Sequence, residues 1–118
     1  MEYTAFENYP IQLLGIDATY NSELTAIEQV VISEIAYTGD ASDIAAILPY
    51  FVYCAFVESR LSDVTGQSGE QQRTAEFTVP SFNSLVRVWN MAVKNLNAIC
   101  TEKGNTASDE YTSPISLW

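Results

Sequence analysis

The chain contains no histidine, only 5 Lys+Arg and 2 Cys among its 118 residues. Without histidine there is no Ser–His–Asp or Cys–His triad, no imidazole-ligated metal and no ordinary base for neutral pH. The few bases stand against 15 Asp+Glu and a net charge of −10. That balance argues against a nucleic-acid backbone as partner, because phosphate binding needs clustered Lys and Arg. Cys54 and Cys100 lie in apolar, helix-like segments. Two cysteines in a domain of this size are no disulfide framework and read as buried thiols acting as small hydrophobes. Met1–Glu7 carries Glu2 and Glu7 and no basic n-region, so no secretory signal is expected. The longest uncharged stretch, Ile44–Val57, contains Pro49 and has the length of a core helix rather than a membrane span. The expectation is a soluble chain made in a reducing cytoplasm.

Motifs are missing too. There is no Cys-x-x-Cys, no phosphate-cradling glycine loop, no Gly-x-Ser-x-Gly and no His-Glu-x-x-His. Asp40-Ala41-Ser42-Asp43 lacks the alternating acids and terminal Glu of a calcium loop, and the two aspartates read as helix caps. No catalytic, cofactor-binding or metal residue is therefore expected, and the chain does not read as an enzyme.

What is present is apolar bulk, 47% against 17% charged, which is too hydrophobic for a disordered acidic tail and enough for one folded domain. The charge is polarised. The first 59 residues hold nine acids and no base, whereas the rest holds six acids and all of Arg60, Arg73, Arg87, Lys94 and Lys103. Such an asymmetry suits a solvated acidic face, or a face that meets a basic neighbour or the opposite half of another copy.

The pattern predicts a mainly α fold. Residues 1–20 are punctuated by Pro10 and Gly15, and Ile11, Leu13, Leu14 and Ile16 are expected to form a short element on the core. A first helix over about 22–37 is capped by Asn21 or Ser22 and stopped by Gly39, with Leu24, Ile27, Val31 and Ile35 in one stripe. A second helical region, about 42–61, either kinks at Pro49 or is a short turn followed by a helix with Pro49 at its first position. Tyr50–Val57 has no polar face, which places it at the centre of a bundle. Thr74–Val79 alternates with Ala75, Phe77 and Val79 on one side. With Leu61–Thr65 as partner and Gly66–Gln72 as tip, it predicts a β-hairpin. A third helix over about 81–103 starts at Pro80-Ser81 and ends at Gly104. Its apolar stripe is Phe82, Leu85, Trp89, Ala92, Leu96 and Ile99. Its opposite stripe is Asn83, Arg87, Asn90, Lys94, Asn97 and Thr101, with no acid.

The predicted architecture is a small bundle of three main helices over residues 1–104, with a hairpin inserted at about 61–79 and an extended C-terminal tail over 105–118. That tail finishes Ile115-Ser116-Leu117-Trp118 and either folds onto its own core or docks in a groove on a neighbour. Glu28 is out of place, because Leu24, Val31, Ile32 and Ile35 surround it on a helix. It must sit at the edge of the stripe, pair with a base such as Arg60, or face a partner chain.

The order of elements resembles a known family. An amphipathic helix is followed by a central helix opening Leu48-Pro49-Tyr50-Phe51, a hairpin at Val64–Val79 and a long helix with Trp89-Asn90. Over residues 22–104 this is similar to the head–tail connector (adaptor) proteins of tailed bacteriophages. The resemblance implies a non-catalytic virion protein, assembled in the host cytoplasm into a ring, often of twelve copies, between the portal and the next tail or collar protein. No cofactor, no membrane and no specific nucleic-acid binding are expected, and the acidity suits a ring lining a passage for DNA, since negative walls avoid holding phosphates. Arg73 and Phe77 of the hairpin, and Ile115, Leu117 and Trp118 of the tail, would then be contact residues. Glu28 on the first helix and Arg87 and Lys94 on the third would mark subunit–subunit faces. The first 20 residues do not match the family pattern. The competing reading is an acidic helical binding protein that inhibits a nuclease or mimics DNA.

Overall fold

Tyr20 closes a 3₁₀ turn over Ala18–Tyr20 and leads directly into α1, Asn21–Ile35. The computed structural model describes residues 18–63 and 82–115, with side chains over 18–59 and 83–115. In chain order, α1 is followed by α2 (Leu48–Asp63), α3 (Phe82–Lys103) and the short α4 (Asp109–Thr112). The fold is mainly α, as the periodicities predict.

On α1 the expected stripe is inside: Leu24, Val31 and Ile35 are buried, and Ile27 packs beside them. Its ends differ from expectation. Asn21 and Ser22 lie within the helix rather than capping it, and the N-cap, Tyr20, makes no side-chain capping bond. The C-terminal stop is Ala36, in the left-handed region at φ 51, not Gly39. The reason is long-range. The Ile35 carbonyl accepts the Ser108 N–H at 2.7 Å, so the next turn of helix is replaced by a bond to a distant segment. Gly39 serves close approach instead. A Cβ there would come within 2.8 Å of the Tyr37 ring and would strike the Asn105 amide.

The second region takes the form of a turn and then a helix. A 3₁₀ turn over Ala41–Ile44 precedes α2, and Pro49 sits in the first turn of that helix, where its missing N–H leaves no bond unmade. Phe51, Val52, Tyr53, Cys54, Phe56 and Val57 are all buried, nearly every direction around the helix. α2 packs against both α1 and α3 and lies between them. Each fully buried Phe or Val contributes roughly 1.5–3 kcal/mol of transfer free energy. On α3, Val86, Ala92, Val93 and Leu96 are buried and Leu85, Trp89 and Ile99 flank them. Gly104, at φ 70, ends α3 as expected, with the Asn105 N–H bonded to the Cys100 carbonyl at 3.0 Å.

Two expectations change. Leu61–Asp63, assigned to the first strand of a hairpin, are the last turn of α2. No glycine or proline follows Pro49 until Gly66, so nothing in the sequence stops the helix at Leu61. The remainder of the expected hairpin, with Arg73 and Phe77, lies outside the described residues. The expected extended tail is folded in part, with Asp109–Thr112 helical and Ser113 in the extended region. Residues 105–112 form a loop and α4 laid on the bundle, and Tyr111 is buried. The polar composition of this segment hides one aromatic knob that has a socket.

Candidate interaction surface

The C-terminal segment is attached at three levels. First, Thr38 and Thr106 clasp each other: the Thr38 N–H donates to the Thr106 carbonyl at 3.0 Å, and the Thr106 N–H donates to Thr38 Oγ1 at 2.9 Å. Beside them Asn105 Nδ2 donates to the Tyr37 hydroxyl at 3.0 Å, which donates to Asp43 Oδ2 at 2.9 Å. Burial, followed by the neighbouring Asp43, pushes the Tyr37 phenol up, against the bond from Asn105.

Second, Tyr111 enters an aromatic nest. Its ring lies 5.1 Å from Phe51 and 5.2 Å from Trp89, and Phe51 meets Trp89 edge-on at 5.1 Å. Edge-to-face pairs of this kind add about 0.5–1.5 kcal/mol beyond area burial. The Tyr111 hydroxyl donates to Glu34 Oε1 at 2.7 Å. Burial first, and the Glu34 carboxylate second, push this phenol well above its ordinary value.

Third, α3 holds the backbone of the segment through amide side chains. Asn97 Nδ2 donates to the Thr112 carbonyl at 2.9 Å. Asn90 takes Ile115 on both sides, donating from Nδ2 to its carbonyl and accepting its N–H at Oδ1, each at 2.7 Å. Both asparagines belong to the acid-free stripe of α3, so part of that stripe is a seat for the chain's own backbone.

The residues expected at interfaces distribute as follows. Arg87 and Lys94 are exposed and share the stripe of α3 on which Asn90 holds Ile115. Ile115 is 44% exposed although its backbone is clasped. Glu28 is half-buried on α1, away from that cluster, and the Arg60 side chain offered as its mate lies outside the described residues. Leu117 and Trp118 also lie outside them. Tyr111 is not singled out by the sequence and Glu34 only counts among the acids, whereas Asn90 and Asn97 stand there only as members of the acid-free stripe.

Chemistry at the remaining candidate groups is muted. Burial pushes the Cys54 thiol up to about 12, with Glu58 adding to it, and its Sγ lies 3.9 Å from the Leu85 carbonyl. Such a thiol is a poor nucleophile. Burial also raises Tyr53 to about 12. Among the described residues no three His, Cys, Asp or Glu side chains converge to hold a metal. No described helix is long and apolar enough to cross a membrane.

Charge follows the elements. α1 carries Glu23, Glu28 and Glu34 and no base, whereas α3 carries Arg87, Lys94 and Lys103 against Glu102, with Asp109 and Glu110 on α4 next to it. Because α2 lies between α1 and α3, the acidic helix and the base-bearing helix flank it. No protein-family model, curated protein or solved structure matches the chain.

Proposed function

We propose that the chain is a structural subunit of a phage virion, a head–tail connector (adaptor) protein that assembles as a ring between the portal and the next tail or collar protein. The observation that carries this reading is the placement of an acid-only helix and a base-bearing helix on either side of the central helix. Each flank also carries an exposed apolar side chain, Val30 at 55% on α1 and Ile115 at 44% on the segment seated on α3. Two unlike faces on one subunit form head-to-tail contacts, and contacts of that kind close into rings when the rotation between copies permits. Opposite charges orient the approach, and the apolar groups supply desolvated contact. The net charge of −10 suits a ring through which DNA passes without being held. The role is one of assembly, with no cofactor and no catalysis.

Reversing Arg87 and Lys94 together to glutamate tests it. Light scattering after size exclusion is expected to show wild-type assemblies that shrink as salt rises, and a double variant that stays monomeric with unchanged helical circular dichroism. A monomeric wild type that binds a basic nuclease instead would favour the inhibitor reading.

A further inference from the structure

Four of the five residues 34–38 hold the C-terminal segment. Glu34 Oε1 accepts the Tyr111 hydroxyl, and the Ile35 carbonyl accepts the Ser108 N–H. The Tyr37 hydroxyl accepts from Asn105 Nδ2, and the Thr38 N–H donates to the Thr106 carbonyl. The fifth, Ala36, stands in the left-handed region at φ 51. Alanine is the strongest helix former and is disfavoured in that region by its Cβ. A helix continuing past Ile35 would bond the Thr38 N–H to the Glu34 carbonyl and the Gly39 N–H to the Ile35 carbonyl. The segment takes the donor of the first bond and the acceptor of the second. No proline lies between Ile35 and Pro49, and Gly39 is the first residue there that turns left-handed without penalty. The docked state carries a second cost. Trp89, packed on the Tyr111 ring, keeps its Nε1–H buried with no partner among the described residues.

We infer that the end of α1 is a two-state element set by the C-terminal segment. With the segment docked, α1 stops at Ile35 and Ala36 turns left-handed. With it released, α1 runs on through Thr38 and stops at Gly39, the glycine that the local sequence supplies for that purpose. Ala36 then returns to the helical region, and the Tyr37 hydroxyl leaves Asn105 and Asp43. The coupling is reciprocal. Whatever lifts Tyr111 from Phe51 and Trp89 lengthens the acidic helix, and whatever fixes the longer helix weakens the hold on Tyr111. The element is confined to one copy of the chain and is independent of any ring.

NMR on the full-length chain tests the switch with two variants. The double variant Ser108→Pro, Tyr111→Ala removes two anchors of the segment. Proline suits Ser108, whose φ is −58, and lacks the N–H that Ile35 accepts. Backbone NOEs of helical spacing, from Ile35 to Thr38 and from Ala36 to Gly39, are expected to appear in this variant and to be absent in the wild type. Val93, in the core, should stay protected from amide exchange. Residues 36–38 that become irregular instead would overturn the proposal. Ala36→Gly keeps every anchor in place and leaves the core untouched. Glycine adopts φ 51 freely and resists the longer helix, so the Ser108 amide should exchange about tenfold more slowly than in the wild type. A Ser108 rate that is unchanged or faster would also overturn the proposal, because the docked segment would then not hold Ala36 against its preference.

Discussion

Tyr111 is held at both ends, its ring between Phe51 and Trp89 and its hydroxyl on Glu34. The two attachments can be separated. Tyr111→Phe keeps the ring and loses the bond to an exposed carboxylate, so it should cost only about 1 kcal/mol. Tyr111→Ala empties the nest and should cost about 3–5 kcal/mol. Urea unfolding measures both, and equal costs would mean that the hydroxyl, not the packing, holds the segment. Gly39 is the second residue whose role is local. Gly39→Ala should destabilise by about 1–3 kcal/mol, because its Cβ meets Tyr37 and Asn105. Removing one of those neighbours should relieve part of the strain. Gly39→Ala should therefore cost less in an Asn105→Ala background, and additive costs would refute the steric account.

Among the elements, legibility tracked the range of the interaction that decides each one. α3 was readable from its three-and-four spacing and α2 from an apolar surface in every direction, since both patterns are local. The end of α1 was not readable. Gly39 is the obvious stop, but Ser108, far along the chain, takes the Ile35 carbonyl and makes Ala36 the turning point. The same holds for the candidate surface. The acid-free stripe of α3 was visible, but a polar helix face looks alike whether water or backbone covers it. Only the fold shows Asn90 and Asn97 facing Ile115 and Thr112. Asn90→Ala should therefore raise amide exchange at Ile115 while leaving Val93 untouched. Asn90→Asp, which can still accept the Ile115 N–H, should fall between the two. If Ile115 exchanges no faster in Asn90→Ala, the side chain is not what holds this segment.

For the whole molecule, the buried weak acids set the response to alkali. Cys54 moves from 9.0 to about 12 and Tyr53 from 10.0 to about 12, and Tyr111 is raised further in the same direction. The unfolded chain loses these protons before the folded one does, so stability falls as pH rises above the unfolded values. The urea midpoint should be flat up to about pH 8 on this account and decline steeply from there to pH 11. Cys54→Val keeps a small apolar group and removes one titration, so its decline should begin later. The larger property is polarity of charge, with acids on α1 and bases on α3 about a central apolar helix. Mass photometry of the chain mixed with phage portal rings tests most directly whether that polarity serves ring assembly. The account predicts portal complexes heavier by several copies of the chain, lost in the Arg87→Glu, Lys94→Glu double variant. Portal rings of unchanged mass, beside a chain that stays monomeric, would contradict it.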